Sequence, residues 1–456
     1  MKITVKQLKL EMKFLKDKND FSKINTFITM KIKYILNLLI VFVCQVSFSQ
    51  DYYLHCGTII DTKSGKELKN KTIIISKNKI AKIEDGFVIK AKEVDIEINL
   101  KNKYLLPGLI DLHVHIEGDY DSHSYISKYV DNEADVAFQA VRSAERTLLS
   151  GFTTVRDLGG TGVNISIRNA INKGVVKGPR IYTAGKSIAT TGGHADPTNG
   201  SNKKFAGDPG PHEGVINSPE DAVKAVRERY KEGADVIKIT ATGGVLSVAK
   251  NSKNPQFTIE EIKAITATAK DYNMLTAAHA HGDEGIQRAI LGGIKTIEHG
   301  TYMSEESMDL MKKYDAYLVP TLTAGKEVEK NAEIIGLYPE IVVPKAREIG
   351  PKIQATFAKA YKKGVKIAFG TDASVFPHGN NAKEFSYMVL GGMSPIEAIQ
   401  SATTTNAFLL GIDNEVSQIK EGFLADIIAV NENPLVKINT LENITFVMKD
   451  GVIYKN

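Results

Sequence analysis

A regular alternation of strand-like and helix-like segments is the feature that most constrains the fold of this 456-residue chain. Between residues 109 and 404, eight short runs rich in β-branched residues are separated by segments with helical periodicity. Two of these segments, Pro219–Glu232 and Ile259–Asp271, follow Ser218 and Thr258, which are residue types that cap helix N-termini. Eight strands alternating with helices predict an α/β fold of the (β/α)8, or TIM-barrel, type. The eight runs end at His115, Asp157, Ala184, Thr240, His279, His299, Thr321 and Asp372.

Further short β-runs, broken by turns, flank the alternating region on both sides. Neither end contains enough strands for a sheet domain of its own, so we expect the two ends to pair. The predicted architecture is a barrel at residues 109–404 and a small β-sandwich domain made from residues 50–108 and 405–456. The runs behind this prediction are Leu54–Ile60, Lys71–Ile75, Ile80–Ile83, Ala425–Val430, Ile444–Met448 and Val452–Tyr454.

The first 49 residues have the pattern of a leader that contains a secretory signal peptide. Lys31 and Lys33 precede an apolar stretch at residues 34–46, and small residues at 47 and 49 precede Gln50, where we expect cleavage. The position of Met30 just before this pattern indicates that translation starts there. The alternative to a cleaved signal peptide, an uncleaved membrane anchor, stays open. We therefore expect an exported protein, periplasmic or extracellular, whose mature form has no stable membrane span.

Charge and cysteine content exclude two classes of protein. The leader holds nine Lys and three acidic residues of the chain's 58 basic and 53 acidic ones, so the rest of the chain is close to neutral. A neutral body gives no electrostatic basis for nucleic-acid binding. Cys56 is the only cysteine after the leader, so no intramolecular disulfide can staple the exported chain and its core must hold it together. As binding partner we therefore expect a small-molecule substrate rather than a nucleic acid. Whether the protein forms a homo-oligomer stays open.

Polar side chains suited to metal binding stand at five of the eight predicted strand ends. His113 and His115 lie two residues apart in the first run, so a strand places both imidazoles on the same face. The C-terminal strand ends of a (β/α)8 barrel carry its active site, and imidazole and carboxylate are common ligands of zinc and related ions. The sequence therefore predicts a metal site, with candidate ligands His113, His115, Lys238, His279, His299 and Asp372.

Lys238 is the unusual candidate because it lies inside an apolar run, where burying an ammonium group is costly. Two interpretations stay open. The side chain can extend to the rim of the barrel and stay charged. Alternatively, the amine has a lowered pKa and reacts with carbon dioxide, which gives a carbamate anion able to bridge two metal ions. Two ions that share a hydroxide lie roughly 3.5–4 Å apart.

The order His-x-His, Lys, His, His, Asp, opened by Pro107–Asp111, resembles the amidohydrolase superfamily. Other segments resemble its imidazolonepropionase-related group, which includes Xaa-Pro dipeptidases and other hydrolases of dipeptides and N-acyl amino acids. These segments are Thr153–Asp157, Thr191–His194, Ile237–Gly244, His279–Gly282 and Ile297–Thr301. The resemblance implies two divalent ions bridged by carboxylated Lys238. The implied ligands of the more buried ion are His113, His115 and Asp372, and those of the second ion are His279 and His299.

The resemblance also implies a mechanism for hydrolysis of a carbon–nitrogen bond. A hydroxide that bridges the two ions attacks the scissile carbonyl, while Asp372 acts as general base and then as general acid. His194, on the loop after the third strand, resembles the histidine that polarises the carbonyl. His281, on the same face as His279, stays a candidate for substrate contact or a supporting role. Zinc is the expected metal, with manganese or cobalt as alternatives.

Three functions stay open on the sequence alone. The first is a binuclear amidohydrolase acting on dipeptides, of the Xaa-Pro type, or on N-acyl amino acids. The second is a mononuclear cyclic-amide hydrolase or deaminase of the same fold, similar to imidazolonepropionase, against which Lys238 argues because one ion needs no bridge. The third is a non-catalytic scaffold with the amidohydrolase fold, against which the complete ligand set argues.

Overall fold

The computed structural model describes residues 26–33, 50–119, 124–247 and 251–456. The chain divides into two units, Met1–Gln50 and Asp51–Asn456. In the first unit, residues 26–33 form a helix, while the apolar stretch of the predicted signal peptide lies outside the described residues. Within the described ranges, no helix is both long enough and apolar enough to cross a membrane.

The second unit is a mixed α/β structure. Its strands are β1 (Asp51–Ile60), β2 (Glu67–Ser76), β3 (Lys79–Asp85), β4 (Ile96–Pro107), β5 (Leu109–Val114), β6 (Phe152–Asp157), β7 (Arg180–Thr183), β8 (Ala189–Thr190), β9 (Val215–Ile216), β10 (Val236–Thr240), β11 (Leu275–Ala280), β12 (Thr296–His299), β13 (Tyr317–Val319), β14 (Lys366–Ile367), β15 (Ile427–Val430), β16 (Phe446–Lys449) and β17 (Val452–Lys455). Its helices are α1 (Ser124–Val130), α2 (Glu133–Leu149), α3 (Val163–Asn172), α4 (Lys203–Ala206), α5 (Pro219–Glu232), α6 (Ile259–Asp271), α7 (Asp283–Leu291), α8 (Glu305–Lys313), α9 (Leu322–Asn331), α10 (Val343–Lys362), α11 (Lys383–Leu390), α12 (Pro395–Gln400) and α13 (Asn406–Leu410).

Two of the predicted helices have the expected bounds because their N-termini are capped. At α5, the Ser218 hydroxyl accepts a hydrogen bond from the backbone N–H of Asp221 at 3.1 Å. At α6, Thr258 accepts from the backbone N–H of Glu261 at 3.2 Å, and the Glu261 carboxylate accepts from the backbone N–H of Thr258 at 2.8 Å. Each cap satisfies a backbone donor that has no partner inside its helix.

Strands from both ends of the unit lie in one seven-stranded sheet, in the order β17-β16-β15-β4-β1-β2-β3. Strand β4 joins the two halves, since it pairs in parallel with β1 and antiparallel with β15, where Leu106 lies opposite Ile428. The two ends therefore pair as predicted. The prediction of a sandwich is not confirmed, because the described residues place these strands in one sheet rather than in two facing sheets.

The predicted barrel strands form two parallel sheets rather than one closed eight-stranded barrel. Strands β10 to β14 make a five-stranded sheet, and β5, β6 and β7 make a three-stranded sheet. Isolated parallel bridges link each sheet to the segment that follows the edge strand of the other: Val114 of β5 bridges to Ala373, after β14, and Ile239 of β10 bridges to Ile188, after β7. The C-terminal ends of strands in both sheets carry the predicted ligands.

The interruption beside β14 has a physical cause. The eighth run was predicted to continue to Asp372, but β14 ends at Ile367, whereas the other seven ends agree within two residues. Beyond Ile367 the backbone still bonds to β5, but at irregular positions. The Leu112 N–H donates to the carbonyl oxygen of Phe369 at 3.0 Å, while the His113 carbonyl oxygen accepts from both Thr371 at 3.3 Å and Asp372 at 2.7 Å. The positive φ of Asp372, 63°, is not an extended conformation, so the regular strand cannot continue to this residue.

Candidate metal centre

All six predicted ligands line one cavity of about 250 Å³, together with His194 and His281. The ligands lie in strands that are far apart in the sequence or, for His115 and Asp372, in the segments that follow strands, and the parallel arrangement brings these positions together. The cavity is therefore the candidate site for metal binding by these residues.

The first ligand set lies around Asp372. Its Oδ1 atom is 3.4 Å from Nε2 of His113 and 3.3 Å from Nε2 of His115. Nδ1 of His115 donates to the carbonyl oxygen of Gly159 at 2.7 Å. Since a carbonyl only accepts, a neutral His115 ring carries its lone pair on Nε2, which faces Asp372. One carboxylate oxygen and two ring nitrogens thus converge.

The second ligand set consists of His279 and His299. Nε2 of His279 donates to the carbonyl oxygen of Gly243 at 3.1 Å, so its lone pair lies on Nδ1. That Nδ1 atom is 3.0 Å from Nε2 of His299, whose Nδ1 lies 2.7 Å from the Thr321 hydroxyl. When Nδ1 of His299 donates to Thr321, two lone pairs face each other, and a shared cation would satisfy both.

Lys238 lies between residues of the two sets. Its Nζ atom is 3.4 Å from Nε2 of His113, and its side chain is buried. The His113 ring is 5.1 Å from that of His299, and ligand atoms of His113, His299 and Asp372 lie within 4.8 Å of one another. Burial lowers the pKa of Lys238 to about 8, so roughly a tenth of this amine is neutral at pH 7 and about half at pH 8.

His281 is also close enough to take part. Its ring stacks on that of His299 at 4.8 Å, and its Nδ1 atom lies 2.8 Å from the Thr301 hydroxyl. Ligand atoms of His279, His281 and His299 lie within 4.8 Å of one another. The geometry therefore admits His281 either as a ligand or as a contact for the substrate.

His194 lies beside the second ligand set, in space that is open because residue 244 is a glycine. Its ring is 4.4 Å from that of His279, and its backbone N–H donates to Oε1 of Gln256 at 2.8 Å. A Cβ atom added at Gly244 would lie only 2.2 Å from Cε1 of His194, so a larger residue there would displace the ring. Burial lowers the pKa of His194 to about 4, which keeps the imidazole neutral and able to donate an N–H group.

Glu298 and Arg156 form a buried support beneath His113 that was not identified from the sequence. Oε2 of Glu298 lies 2.9 Å from Nδ1 of His113, and Oε1 accepts from Arg156 at 2.9 Å and from Thr296 at 2.5 Å. Arg156 also donates to the carbonyl oxygen of Leu112 at 2.6 Å. Burial alone would raise the pKa of Glu298, but the Arg156 charge and the His113 contact lower it to about 2.

The conformation of the backbone explains why adjacent residues reach the same centre. Successive strand residues face opposite sides of a sheet, so Glu298 and His299 would normally point apart. His299 has a positive φ of 72°, which breaks this alternation. Asp372 also has a positive φ, of 63°. Such values are uncommon outside glycine and occur often at functional sites.

Asp157 and the segment after β10 have supporting roles. The Asp157 carboxylate accepts from the backbone N–H of Ile116 at 2.7 Å and from the side chains of Asn164 and Thr183 at 2.7 and 3.1 Å. These bonds fix the segment that follows His115. The carbonyl oxygen of Gly243 orients His279, as described above.

The charge states of most of these groups fit metal binding; at His115 alone among the histidine ligands, burial lowers the pKa but the hydrogen bond and charge of Asp372 outweigh it and raise the pKa. Burial lowers the pKa of His113 to about 4 and that of His281 to about 3, and it holds those of His279 and His299 well below their ordinary value. Neutral imidazole is the form that binds metal ions. Burial alone would raise the pKa of Asp372, but attraction to His113 and other nearby basic groups lowers it, so it is a carboxylate. Nitrogen and carboxylate donors together suit zinc.

Comparison with known proteins identifies the family of this chain. The model of the amidohydrolase family matches residues 104–455. Ochratoxinase from Aspergillus niger is 33% identical over 421 residues, which cover 88% of this chain and 86% of that protein. A crystal structure of a Xaa-Pro dipeptidase with bound methionine in the active site is 50% identical, with a TM-score of 0.86 and coverage of 89% of this chain and 100% of the other.

The chain is also similar to a solved structure of a prolidase. A prolidase complexed with N-methylphosphonate-L-proline is 29% identical, with a TM-score of 0.79, and covers 89% of this chain and 100% of its own. The family match extends from β4 to β17 and so includes every predicted ligand. The chain therefore belongs to the amidohydrolase family and is a hydrolase that acts on carbon–nitrogen bonds.

Proposed function

We propose that this protein hydrolyses the amide bond of dipeptides, of the Xaa-Pro type, or of N-acyl amino acids, and that it uses two zinc ions. The proposal rests on one observation: two sets of ligand atoms, around Asp372 and between His279 and His299, line one cavity together with the amine of Lys238. The Xaa-Pro dipeptidase and the prolidase among its structural relatives support a dipeptide substrate.

In this proposal His113, His115 and Asp372 would hold one ion, and His279 and His299 would hold the other. Lys238, as a carbamate, would supply the ligand that both ions share. The neutral amine, favoured by the lowered pKa of Lys238, adds to the carbon of carbon dioxide, so that a C–N bond forms and a proton leaves to solvent. The product is an anion in place of a buried cation, which removes the cost of burying an ammonium group and supplies oxygen ligands.

The bound ions would lower the pKa of a water molecule and polarise the scissile carbonyl. Asp372 accepts a proton from the attacking water and passes it to the leaving nitrogen as the C–N bond breaks. His194, neutral and on the wall of the same cavity, donates a hydrogen bond to the carbonyl oxygen as negative charge develops there. The cavity wall orients the scissile bond between these groups.

Metal stoichiometry tests the binuclear site. We expect two zinc ions per chain by elemental analysis, with full loading dependent on bicarbonate, and a loss of metal in the His113→Ala variant. A single tightly bound ion whose binding does not change with bicarbonate would favour the mononuclear cyclic-amide hydrolase or deaminase instead.

A substrate library tests the reaction. Zinc-reconstituted protein should release free amino acids from members of a combined dipeptide and N-acyl amino-acid library. The His194→Ala variant, which has no side-chain donor, should retain its metal and lose about 100- to 1,000-fold in kcat, the usual cost of removing one donor to the oxyanion. Cleavage of no library member would contradict the proposed substrate class.

We also propose that the mature protein is exported, on the basis of the leader pattern at residues 1–49. Expression of the full chain followed by cell fractionation and N-terminal sequencing tests this. We expect a chain that begins at or near Gln50 outside the cytoplasm, and a cytoplasmic chain that keeps its leader would contradict the proposal.

A further inference from the structure

Besides the polar ligands, the same cavity is also lined by a group of aliphatic side chains. We call it the apolar wall, and its residues come from the segment after β10, from helices α9 and α10, and from the segment after Asp372. Its members are Val245, Leu246, Val328, Ile349, Ile353 and Val375.

The apolar wall is held in place by packing. Val245, Val328 and Ile349 are buried and belong to one hydrophobic cluster that joins the three elements. The Lys345 ammonium of α10 donates to the carbonyl oxygens of Gly244 at 3.2 Å and Ser247 at 2.7 Å, which ties the segment after β10 to that helix. A wall fixed in this way presents a defined shape to a bound molecule.

Close approach of α9 and α10 also shapes the wall. A Cβ atom added at Gly325 of α9 would lie 2.7 Å from Cγ2 of Ile353 on α10. A side chain larger than hydrogen at this position would therefore displace Ile353, which is a wall residue. Position 325 thus controls the width of the cavity.

Charges in this cavity lie with the ligands and not in the apolar wall. Among the described residues that line it, the ionisable groups other than histidines are the Asp372 carboxylate and the Lys238 amine, and both belong to the predicted metal centre. A charged side chain placed against the apolar wall would lose hydration without gaining a partner, which is costly. An aliphatic or aromatic side chain would gain from burial there.

We infer that the apolar wall is the subsite for the side chain of the substrate, and that it selects residues with aliphatic or aromatic side chains over charged ones. The inference rests on the proposed function, since it names the substrate class of the same site. The position of the wall beside the ligands places this side chain next to the scissile bond.

Two matched substrate panels test the inference on the zinc-reconstituted full chain. One panel is N-acetyl-Xaa and the other is Xaa-Pro, each with Xaa as Leu, Met, Phe, Lys or Asp. In at least one panel we expect kcat/KM for the apolar residues to exceed that for Lys and Asp by about 100-fold, the discrimination typical of an apolar pocket. Equal values across both panels would overturn the inference.

A charge placed in the wall tests the same point by gain of function. Val328→Asp should lower kcat/KM for Leu by about 100-fold and raise that for Lys at least tenfold, while Val328→Asn should lower the value for Leu without a gain for Lys. If circular dichroism shows that neither variant folds, the Gly325→Ala variant tests the inference instead. Displacement of Ile353 narrows the cavity, so kcat/KM for the Phe substrate should fall more than that for the Leu substrate. An unchanged Phe-to-Leu ratio would contradict the inference.

A binding measurement separates failure of the inference from failure of the proposed function. Absence of hydrolysis in both panels would refute the proposed function. Calorimetric titration of the zinc-loaded protein with N-acetyl-leucine and N-acetyl-lysine then decides the subsite. Binding of N-acetyl-leucine at least tenfold tighter supports the apolar wall as the side-chain subsite, and equal or absent binding of the two overturns it.

Discussion

Replacement of Arg156 by Met should destabilise the protein strongly because it leaves Glu298 as a buried charge without its cation. Both side chains are fully buried, and the guanidinium nitrogen lies 2.9 Å from the carboxylate oxygen. Methionine has a similar length and no charge, so the substitution removes the interaction with little loss of volume. The Thr296 hydroxyl and the His113 ring remain as neighbours of Glu298, and neither carries a compensating positive charge when His113 is neutral. The charge of Lys238 also favours the ionised form of Glu298, but less than that of Arg156.

The expected magnitude follows from the burial of the pair. Removal of one partner of a buried ion pair costs about 3–5 kcal/mol, because the remaining charge stays in a medium that solvates it poorly. In the Arg156→Met/Glu298→Gln double variant the charge is absent, so we expect the double variant to be more stable than Arg156→Met alone. This difference in sign separates the electrostatic effect from a packing defect, which a second substitution would worsen.

The free energy of unfolding of the metal-free protein, from denaturant titration, measures this effect. The chain contains no Trp, so far-UV circular dichroism is the suitable signal. Metal-free protein is used because a bound ion stabilises the folded state by itself. Arg347→Met is the control, since the exposed Arg347–Glu333 pair should contribute nothing measurable. A cost below about 1 kcal/mol for Arg156→Met, or a double variant less stable than the single one, would refute the reasoning.

Three further predictions concern the centre and its surroundings. Glu298→Gln should weaken zinc binding about 10- to 100-fold in chelator competition, because the group that orients His113 is altered, while Glu333→Gln should have no effect. His279→Ala should lose one of the two ions in elemental analysis and His281→Ala should keep both, and the reverse result would exchange their roles. Burial raises the pKa of Glu384 from 4.5 to about 8, so its contribution to stability is complete below pH 4.5 and is lost as the pH rises through about 8. Glu384→Gln should remove this slope, of at most about 1.4 kcal/mol per pH unit, from denaturant titrations between pH 5 and 8.5.

The sequence was sufficient where short-range chemistry decides the structure. Ser218 and Thr258 cap helices α5 and α6 at the predicted positions, because a hydroxyl followed by free backbone N–H groups needs no distant partner. The ligand candidates could be grouped because the C-terminal ends of parallel strands meet at one edge. Their assembly around one cavity agrees with that expectation.

Strand β4 shows where the pattern was harder to recognise. Ile96, Ile98 and Leu100 alternate with polar residues, which is the signal of a half-buried strand. The polar residues at 101–103 interrupt that alternation in the middle of the strand, and register shifts in the pairing of β1 with β4 lie in the same region. Its parallel partner β1 and antiparallel partner β15 are set by tertiary contacts, which no local pattern encodes.

The conformation around Thr321 explains why the support of the metal centre was not found from the sequence. Thr321 has a positive φ of 49°, which is unfavourable for a β-branched residue, and its hydroxyl lies 2.7 Å from Nδ1 of His299. Glu384 holds this turn, since the two oxygens of its carboxyl group accept the backbone N–H groups of Leu322 and Thr323, each at 2.7 Å. A strained residue costs about 1–3 kcal/mol and persists only where its surroundings fix it. Since Glu384 lies 62 residues beyond Leu322 in the chain, no sequence window contains both the strain and its cause. The groups that orient His299 therefore become visible only after the chain has folded.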